Sequence, residues 1–114
     1  MAYFDHDKLD AYRVSVEALV VIDGIARALP KGYAKLKDQM QRASQSAVLL
    51  TSEASARSGA DRSMRFRWAR AEAGEAGAAL ECATRLRLTN AERATEAREL
   101  LLRLSAMLHQ LAGP

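Results

Sequence analysis

Apolar residues recur every three or four positions in four separate stretches of this chain, a spacing that matches one face of an α-helix. The alternation of apolar and polar residues that indicates strands occurs nowhere in the 114 residues. Turn-forming residues separate the stretches, at Pro30-Lys31-Gly32, Ser58-Gly59 and Thr89-Asn90. Helices joined by such short connections must pack as neighbours, so the sequence predicts an all-α, antiparallel up-down-up-down four-helix bundle.

The helix limits follow from residues that commonly start or stop a helix. The predicted helices run from about Asp7 to Leu29, from Tyr33 to Arg57, from an N-cap at Asp61 to Leu88, and from a cap at Thr89 or Asn90 to the final Gly113-Pro114. Asp5 or Asp7 is expected to cap the first helix. Pro30 ends it, because the residue before a proline avoids the helical conformation.

Three helices have one clear apolar face each. These faces comprise Leu9, Tyr12, Val16, Leu19, Ile22, Ala26 and Leu29 in the first helix; Leu36, Met40, Ala43, Ala47, Leu50 and Ala54 in the second; and Ala97, Leu101, Leu104, Leu108 and Leu111 in the fourth. We expect these faces to form the core.

The third helix is apolar on two nearly opposite faces. One face holds Met64, Trp68, Ala71, Ala78 and Cys82, and the other holds Phe66, Ala69, Ala73, Gly77 and Leu80. Two faces indicate two packing partners, the bundle core and a neighbouring subunit. The alternative is one wide core face with scattered surface alanines. Core packing is the expectation for Trp68 and Cys82, with stacking of Tyr33 and Trp68 on RNA bases as the alternative.

Length and composition favour one globular domain over residues 1–114, since 49% of the residues are hydrophobic and 27% are charged. Cys82 is the single cysteine, which suits a reducing cytoplasm. The N-terminal segment lacks the layout of a signal peptide. The longest apolar run, 18–22, is far too short to span a bilayer. The expected location is therefore the cytoplasm, without a membrane partner.

Residues that commonly carry catalysis are poorly placed for it. Neither histidine, His6 or His109, lies three residues after a glutamate, as di-iron bundles require. The pairs Glu72/Glu75 and Glu96/Glu99 have the spacing of a solvated helix surface, and no glycine-rich phosphate loop is present. We predict a protein that is not an enzyme and that holds no metal or cofactor.

Glu75 lies by helical angle on the face of Met64 and Trp68, where a carboxylate needs a cationic partner. Arg42 on the preceding helix is the best candidate, and Glu53 is expected to meet Arg70 or Arg57. These pairs either set the packing register of the helices or form a fixed polar surface for a partner.

Positive charge is concentrated in the middle of the chain. Residues 31–70 carry nine basic and three acidic groups, a net charge of +6, whereas residues 1–30 carry −2 and residues 71–114 carry −1. The strongest cluster consists of Arg57, Arg62, Arg65, Arg67 and Arg70. Because a guanidinium can bond two phosphate oxygens, this cluster indicates RNA binding. The alternative is a protein-binding adaptor or structural module in which the charge is an ordinary solvated surface.

Several motifs carry a resemblance to a known family. They are Lys8-Leu9 with Tyr12, the Leu29-Pro30 helix stop, and the block of Gln39, Arg42, Ala43 and Ser46. With the stretches 4–17, 28–32, 38–54 and 63–76, they resemble the four-helix-bundle family encoded in intervening sequences of bacterial 23S ribosomal RNA genes. The resemblance implies a ring-like homopentamer. It also implies similarity to the accessory protein of diversity-generating retroelements, which binds a reverse transcriptase and RNA.

The chain departs from that family in its most typical stretch, which usually reads Ile-Pro-x-Asn-Ile-Ala-Glu-Gly. Here Val48, Leu50, Ser52 and Ala54 replace the proline, asparagine, alanine and glycine, and Glu53 alone is retained. The second helix should therefore be straighter, and a partner that depends on the asparagine would be lost.

Overall fold

A computed structural model describes residues 2–114, and these contain four α-helices, one short 3₁₀ turn and no strand. The turn is Asp5–Lys8, and the helices are α1 (Asp10–Arg27), α2 (Ala34–Ser55), α3 (Gly59–Arg85) and α4 (Ala91–Ala112). The prediction of an all-α chain with four helices is confirmed. No helix in this described range is long and apolar enough to cross a membrane.

Each helix packs against two others. Both α1 and α3 contact α2 and α4, so α1 and α3 occupy diagonal corners of the bundle. Between α2 and α3, Arg42 meets Glu75 and the later Glu53 meets the earlier Arg65. The 3₁₀ turn lies against α2, where His6 Nδ1 is 2.8 Å from the hydroxyl oxygen of Ser52.

Alanines form much of the contact between α2 and α3. Ala43, Ala47, Ala54, Ala69, Ala73 and Ala76 are all buried. Their small side chains let the two helix backbones approach closely, whereas Phe66 and Met40 supply bulk to the shared core. The hydroxyl of the buried Thr51 donates a hydrogen bond to the Ala47 carbonyl, so the polar atom carries no unpaired desolvation cost.

The predicted core faces of α2 and α4 are confirmed. In α2, Met40, Ala43, Ala47 and Ala54 are buried, with Leu36 and Leu50 packed at the edge; in α4, Ala97, Leu101, Leu104 and Leu108 are buried, with Leu111 at the edge. Asn90 is the N-cap of α4, because its side-chain oxygen accepts hydrogen bonds from the backbone N–H groups of Glu92 and Arg93.

Two predicted caps are wrong. Asp7 belongs to the separate 3₁₀ turn and accepts a hydrogen bond from the Phe4 backbone N–H, and α1 begins only at Asp10. Asp61 is the third residue of α3 rather than its N-cap, since the helix already begins at Gly59. A positive φ of 60° at Gly59 gives the backbone the sharp reversal that the three-residue connection needs.

The core face of α1 is rotated from the predicted one. Ala11, Val14, Ala18 and Ile25 are buried together with Ile22, whereas Tyr12, Val16 and Leu19 are only half-buried. Because Ala11 and Ala18 are small, α1 lies closest to its neighbouring helices on the side that carries these two residues. The larger residues therefore lie at the edge of the core.

Of the two apolar faces of α3, the face centred on Phe66, Ala73 and Leu80 enters the core. The predicted burial of Trp68 and Cys82 is wrong for the single subunit, because Trp68 is 47% exposed and Cys82 is exposed. α3 sits at a corner of the bundle, and only one of its faces meets α2 and α4. Within residues 2–114, the second face packs against no other helix.

Candidate nucleic-acid interface

The structure separates the five predicted arginines into two groups. Arg57, Arg62 and Arg65 surround the short connection between α2 and α3, whereas Arg67 and Arg70 lie on the side of α3 that meets α4. Arg67 and Arg70 are three residues apart, which places them on neighbouring turns of one helix. The two groups have different contacts and therefore different capacities to bind an anion.

The arginines at the connection already have partners. Arg65 donates to Glu53 Oε2 at 2.9 Å and to Asp61 Oδ1 at 3.0 Å, and Arg57 lies 4.0 Å from Asp61. Arg62 donates to the Ala54 carbonyl at the end of α2, at 3.4 Å. Their charge is balanced by carboxylates or by the negative end of a helix dipole, so these three arginines are less available to an external anion.

The predicted partner of Glu53 is wrong, because Glu53 pairs with Arg65 and with neither Arg57 nor Arg70. Arg57 follows α2 and lies toward Asp61, and Arg70 is turned toward α4. Of these three arginines, only Arg65 lies both at the level of Glu53 along the bundle and on the side of α3 that faces α2.

Arg67 and Arg70 contact acceptors other than side-chain carboxylates. Arg67 donates to the backbone oxygen of Pro114 at 2.9 Å, and Arg70 donates to the hydroxyl oxygen of Ser105 at 3.2 Å. Within residues 2–114, neither has a side-chain carboxylate at ion-pair distance. No side-chain carboxylate in this range therefore competes with an external anion for Arg67 or Arg70.

Both guanidinium groups line an open cleft of about 670 Å³ between α3 and α4. Ser105 and His109 line the opposite wall from α4, and Gly74 on α3 leaves the cleft wide. We call this site the arginine cleft. Two guanidiniums, a hydroxyl and an imidazole are all groups that donate hydrogen bonds to phosphate oxygens.

Ser105 and His109 were not among the predicted site residues. They lie about forty positions from Arg67 in the sequence, and only the packing register of α3 against α4 brings them together. Their own spacing of four residues, on the polar side of the leucine stripe of α4, is the one available signal.

Arg42, Glu72 and Glu75 form a second charged cluster, between α2 and α3. Arg42 Nη2 lies 2.7 Å from Glu75 Oε2, and Arg42 Nη1 lies 3.4 Å from Glu72 Oε2. Gln39 also donates to Glu75, at 3.3 Å. The structure brings Arg42 and Glu75 together as the sequence suggested, but Glu75 is exposed, so burial does not force the pairing.

The hydrogen bond from Arg42 lowers the pKa of Glu75, whereas partial burial beside Glu75 raises the pKa of Glu72. Glu75 stabilises the fold above its unfolded-state pKa and loses that contribution as the pH falls through its lowered pKa. Glu72 has the opposite sign, since the folded state favours its protonated form and the penalty of ionising it disappears as the pH falls. The two effects on stability therefore have opposite dependences on pH.

We therefore expect Glu75 to titrate at lower pH than Glu72 when both carboxyl carbons are followed by NMR. Arg42→Met should raise the pKa of Glu75 toward its ordinary value, because its main hydrogen bond is lost. Arg27→Met is the control, since Arg27 pairs with Asp23 on α1. Titration of Glu72 below Glu75, or a pKa of Glu75 indifferent to Arg42→Met, would contradict this assignment.

Across residues 2–114, no group of three or more His, Cys, Asp or Glu side chains is arranged to hold a metal ion. The fold and the arginine cleft together define a small helical bundle with a cationic surface between two helices. The family model of the 23S rRNA-intervening sequence proteins matches residues 7–110, and the chain belongs to that family. The resemblance found in the sequence is thereby confirmed. A comparison with curated proteins gave no match.

Proposed function

We propose that this protein is a non-enzymatic, homo-oligomeric four-helix bundle that binds RNA, or an RNA-containing partner, through basic residues of α3. The observation that carries the proposal is the arginine cleft, in which Arg67 and Arg70 lie side by side and neither pairs with a side-chain carboxylate of residues 2–114. Membership of a family named for intervening sequences in 23S rRNA supports RNA as the ligand. Of the five predicted arginines, Arg57, Arg62 and Arg65 would act mainly by holding the α2–α3 hairpin.

The helices of the proposed bundle run antiparallel, up-down-up-down. Contacts between α2 and α3 support this order, because Arg42 meets Glu75 and the later Glu53 meets the earlier Arg65. The three-residue connection between these helices has no room for a parallel return. The arrangement places Arg67 and Arg70 beside the last turns of α4.

Phosphate would be a better partner for Arg70 than its present one. An anionic phosphate oxygen attracts the Arg70 guanidinium more strongly than the neutral hydroxyl of Ser105 does, and a phosphate can accept two hydrogen bonds from one guanidinium, so phosphate oxygens would displace this hydroxyl. Such contacts do not distinguish bases, and binding should be weakly selective and sensitive to salt. In a homo-oligomer, each subunit would add one copy of the cleft.

The proposal predicts that Arg67→Gln/Arg70→Gln weakens binding of single-stranded RNA and flattens its dependence on salt. Loss of two phosphate contacts should reduce the slope of log affinity against log salt by about 1.4. The matched control is Lys31→Gln/Lys35→Gln, which removes the same charge from exposed positions near the start of α2. Fluorescence anisotropy at four salt concentrations measures the slope, and thermal melts of both variants should stay close to wild type.

Arg65 is left intact in this experiment because it bonds both Glu53 and Asp61. An equal loss of slope in the lysine control would show that RNA responds to total charge rather than to the arginine cleft. An unchanged slope in the arginine variant would remove the cleft from the proposal.

The second candidate function is a protein-binding adaptor. The observation that favours it is the exposed apolar face of α3, where Met64 and Trp68 have no partner in the single subunit. Docking of a protein on this face would persist at high salt, whereas RNA binding would not.

A further inference from the structure

The arginine cleft is one end of a longer groove between α3 and α4. A second recess, of about 320 Å³, adjoins the cleft and shares Gly74 and Ser105 with it. A third recess, also of about 320 Å³, adjoins the second and shares Glu81 and Arg98 with it. The three recesses therefore follow one another along the two helices. We call them together the α3–α4 groove, and we call the third recess its far end.

The far end of the α3–α4 groove carries two further arginines. Arg85 and Arg98 line it, and both are exposed. Within residues 2–114, neither has a side-chain carboxylate at ion-pair distance. Glu81 lines the same recess and is the one acidic side chain that faces the groove from this part of the chain. The groove therefore carries four arginines against one glutamate, with a pair of arginines at each end.

The middle of the groove is open and apolar. A Cβ added at Gly74 would meet no atom of another helix within 4 Å, and one added at Gly77 would meet only the Leu101 side chain, at 3.9 Å. Leu102, which is 57% exposed, lines the same stretch. Cationic ends and an apolar middle suit a strand of nucleic acid, because its phosphates are anionic and the faces of its bases are apolar.

We infer that the α3–α4 groove binds one single strand of RNA along its length. Phosphates of the strand contact Arg67 and Arg70 at one end of the groove and Arg85 and Arg98 at the other. The inference rests on the proposed function and extends it from one phosphate-binding cleft to a path of defined length. Contacts to phosphates fix the position of the strand without selecting its bases.

The length of the groove sets the number of nucleotides that it holds. Arg67 and Arg85 are 18 positions apart on α3, which corresponds to about 27 Å along the helix. A stacked strand rises about 3.4 Å per nucleotide, so about eight nucleotides cover this distance, and an extended strand needs fewer.

The width of the groove favours a single strand over a duplex. The axes of two packed helices are about 8–10 Å apart, so the groove between them is narrow. A duplex is stiff over many base pairs and cannot bend into a narrow groove at low cost. It would lie on the rim and reach fewer of the four arginines.

Oligonucleotide length tests this path. An oligouridine tetramer spans about 14 Å, half of the groove, whereas a decamer spans all of it. The slope of log affinity against log salt should be about −1.4 for the tetramer and about −2.8 for the decamer, because two and four phosphates are contacted. When salt rises from about 50 to 200 mM, affinity should fall about 7-fold for the tetramer and about 50-fold for the decamer. Fluorescence anisotropy measures both.

Arg85→Gln/Arg98→Gln removes the charge of the far end and keeps the arginine cleft intact. We expect the slope for the decamer to flatten to about −1.4, because two phosphate contacts are lost. The slope for the tetramer should stay near that of wild type, since the tetramer uses one end only. Lys31→Gln/Lys35→Gln removes the same charge from exposed positions outside the groove and should keep the wild-type slope for the decamer.

Gly77→Leu tests the middle of the groove without changing any charge. The added side chain should obstruct the path, so that the decamer binds with the slope of the tetramer. Gln45→Leu is the control, since it adds an apolar side chain at an exposed position of α2. Thermal melts of both variants show whether they fold. If Gly77→Leu melts well below wild type, the length comparison and the arginine variant decide the question alone.

The outcomes separate this inference from the proposed function. If Arg67→Gln/Arg70→Gln flattens the slope for the decamer and Arg85→Gln/Arg98→Gln does not, the arginine cleft stands and the path along the groove is wrong. Equal slopes for the tetramer and the decamer in wild type would lead to the same conclusion. A duplex decamer that binds as tightly as the single strand would contradict the single-stranded ligand. If wild type binds no RNA at low salt, the proposed function fails and this inference fails with it.

Discussion

Leu104→Ala should lower the free energy of unfolding by about 2–5 kcal/mol, because it opens a cavity in the hydrophobic core. The Leu104 side chain is only 1% exposed, on the leucine stripe of α4. Leu102→Ala is a matched control from the same helix, since Leu102 is 57% exposed. The control should change the free energy of unfolding by less than about 0.5 kcal/mol.

Denaturant unfolding of the two variants and wild type, followed by circular dichroism, measures this difference. Equal losses of stability at both positions would contradict the register of α4. If assembly contributes to stability, the comparison is made at one fixed protein concentration.

Ala76→Leu should destabilise the protein by about 1–3 kcal/mol, because the added side chain has no space between α2 and α3. Ala76 is fully buried in an interface composed largely of alanines, including Ala43 and Ala47 on α2. The larger residue would force the two backbones apart or drive neighbouring side chains from their preferred rotamers.

Ala78→Leu is the control for this overpacking, since Ala78 lies two residues away on the exposed side of α3. Thermal unfolding should separate the two variants clearly, with the Ala78→Leu curve near wild type. A well-tolerated Ala76→Leu would mean that the contact between α2 and α3 is loose, contrary to the structure.

The core of α2 and α4 could be predicted because the sequence pattern and the packing agree there. In α4, Leu101, Leu104 and Leu108 recur at helical spacing together with Ala97 and Leu111, and they form the most continuous apolar stripe of the helix. Asn90 could be predicted as a cap because its side chain acts within its own turn. Both signals are local.

Which faces of α1 and α3 are buried depends on contacts between helices, and the sequence pattern does not show these contacts. Ala11 and Ala18 rank low in hydrophobicity, yet their small size decides which side of α1 lies against the neighbouring helices. In α3, the two apolar faces are similar in content, and the position of the helix at a corner of the bundle decides that Phe66 enters the core and Trp68 does not.

The candidate site was predictable only in part for the same reason. The local excess of arginine is visible in the sequence. Which guanidinium groups already have an acidic partner depends on the register between the helices. Glu53 and Asp61 occupy Arg65, while Arg70 reaches only the hydroxyl of Ser105. Tertiary packing therefore decides which arginines are paired at the α2–α3 connection and which line the arginine cleft.

Binding of single-stranded RNA by the wild-type protein, measured as the salt concentration is raised, tests the proposed function most directly. If Arg67 and Arg70 each contact one phosphate, the slope of log affinity against log salt should be about −1.4 or steeper. Additional subunits that engage the same RNA would make it steeper still. Absence of binding at low salt, or affinity that does not change with salt, would contradict the account and favour the protein-binding adaptor.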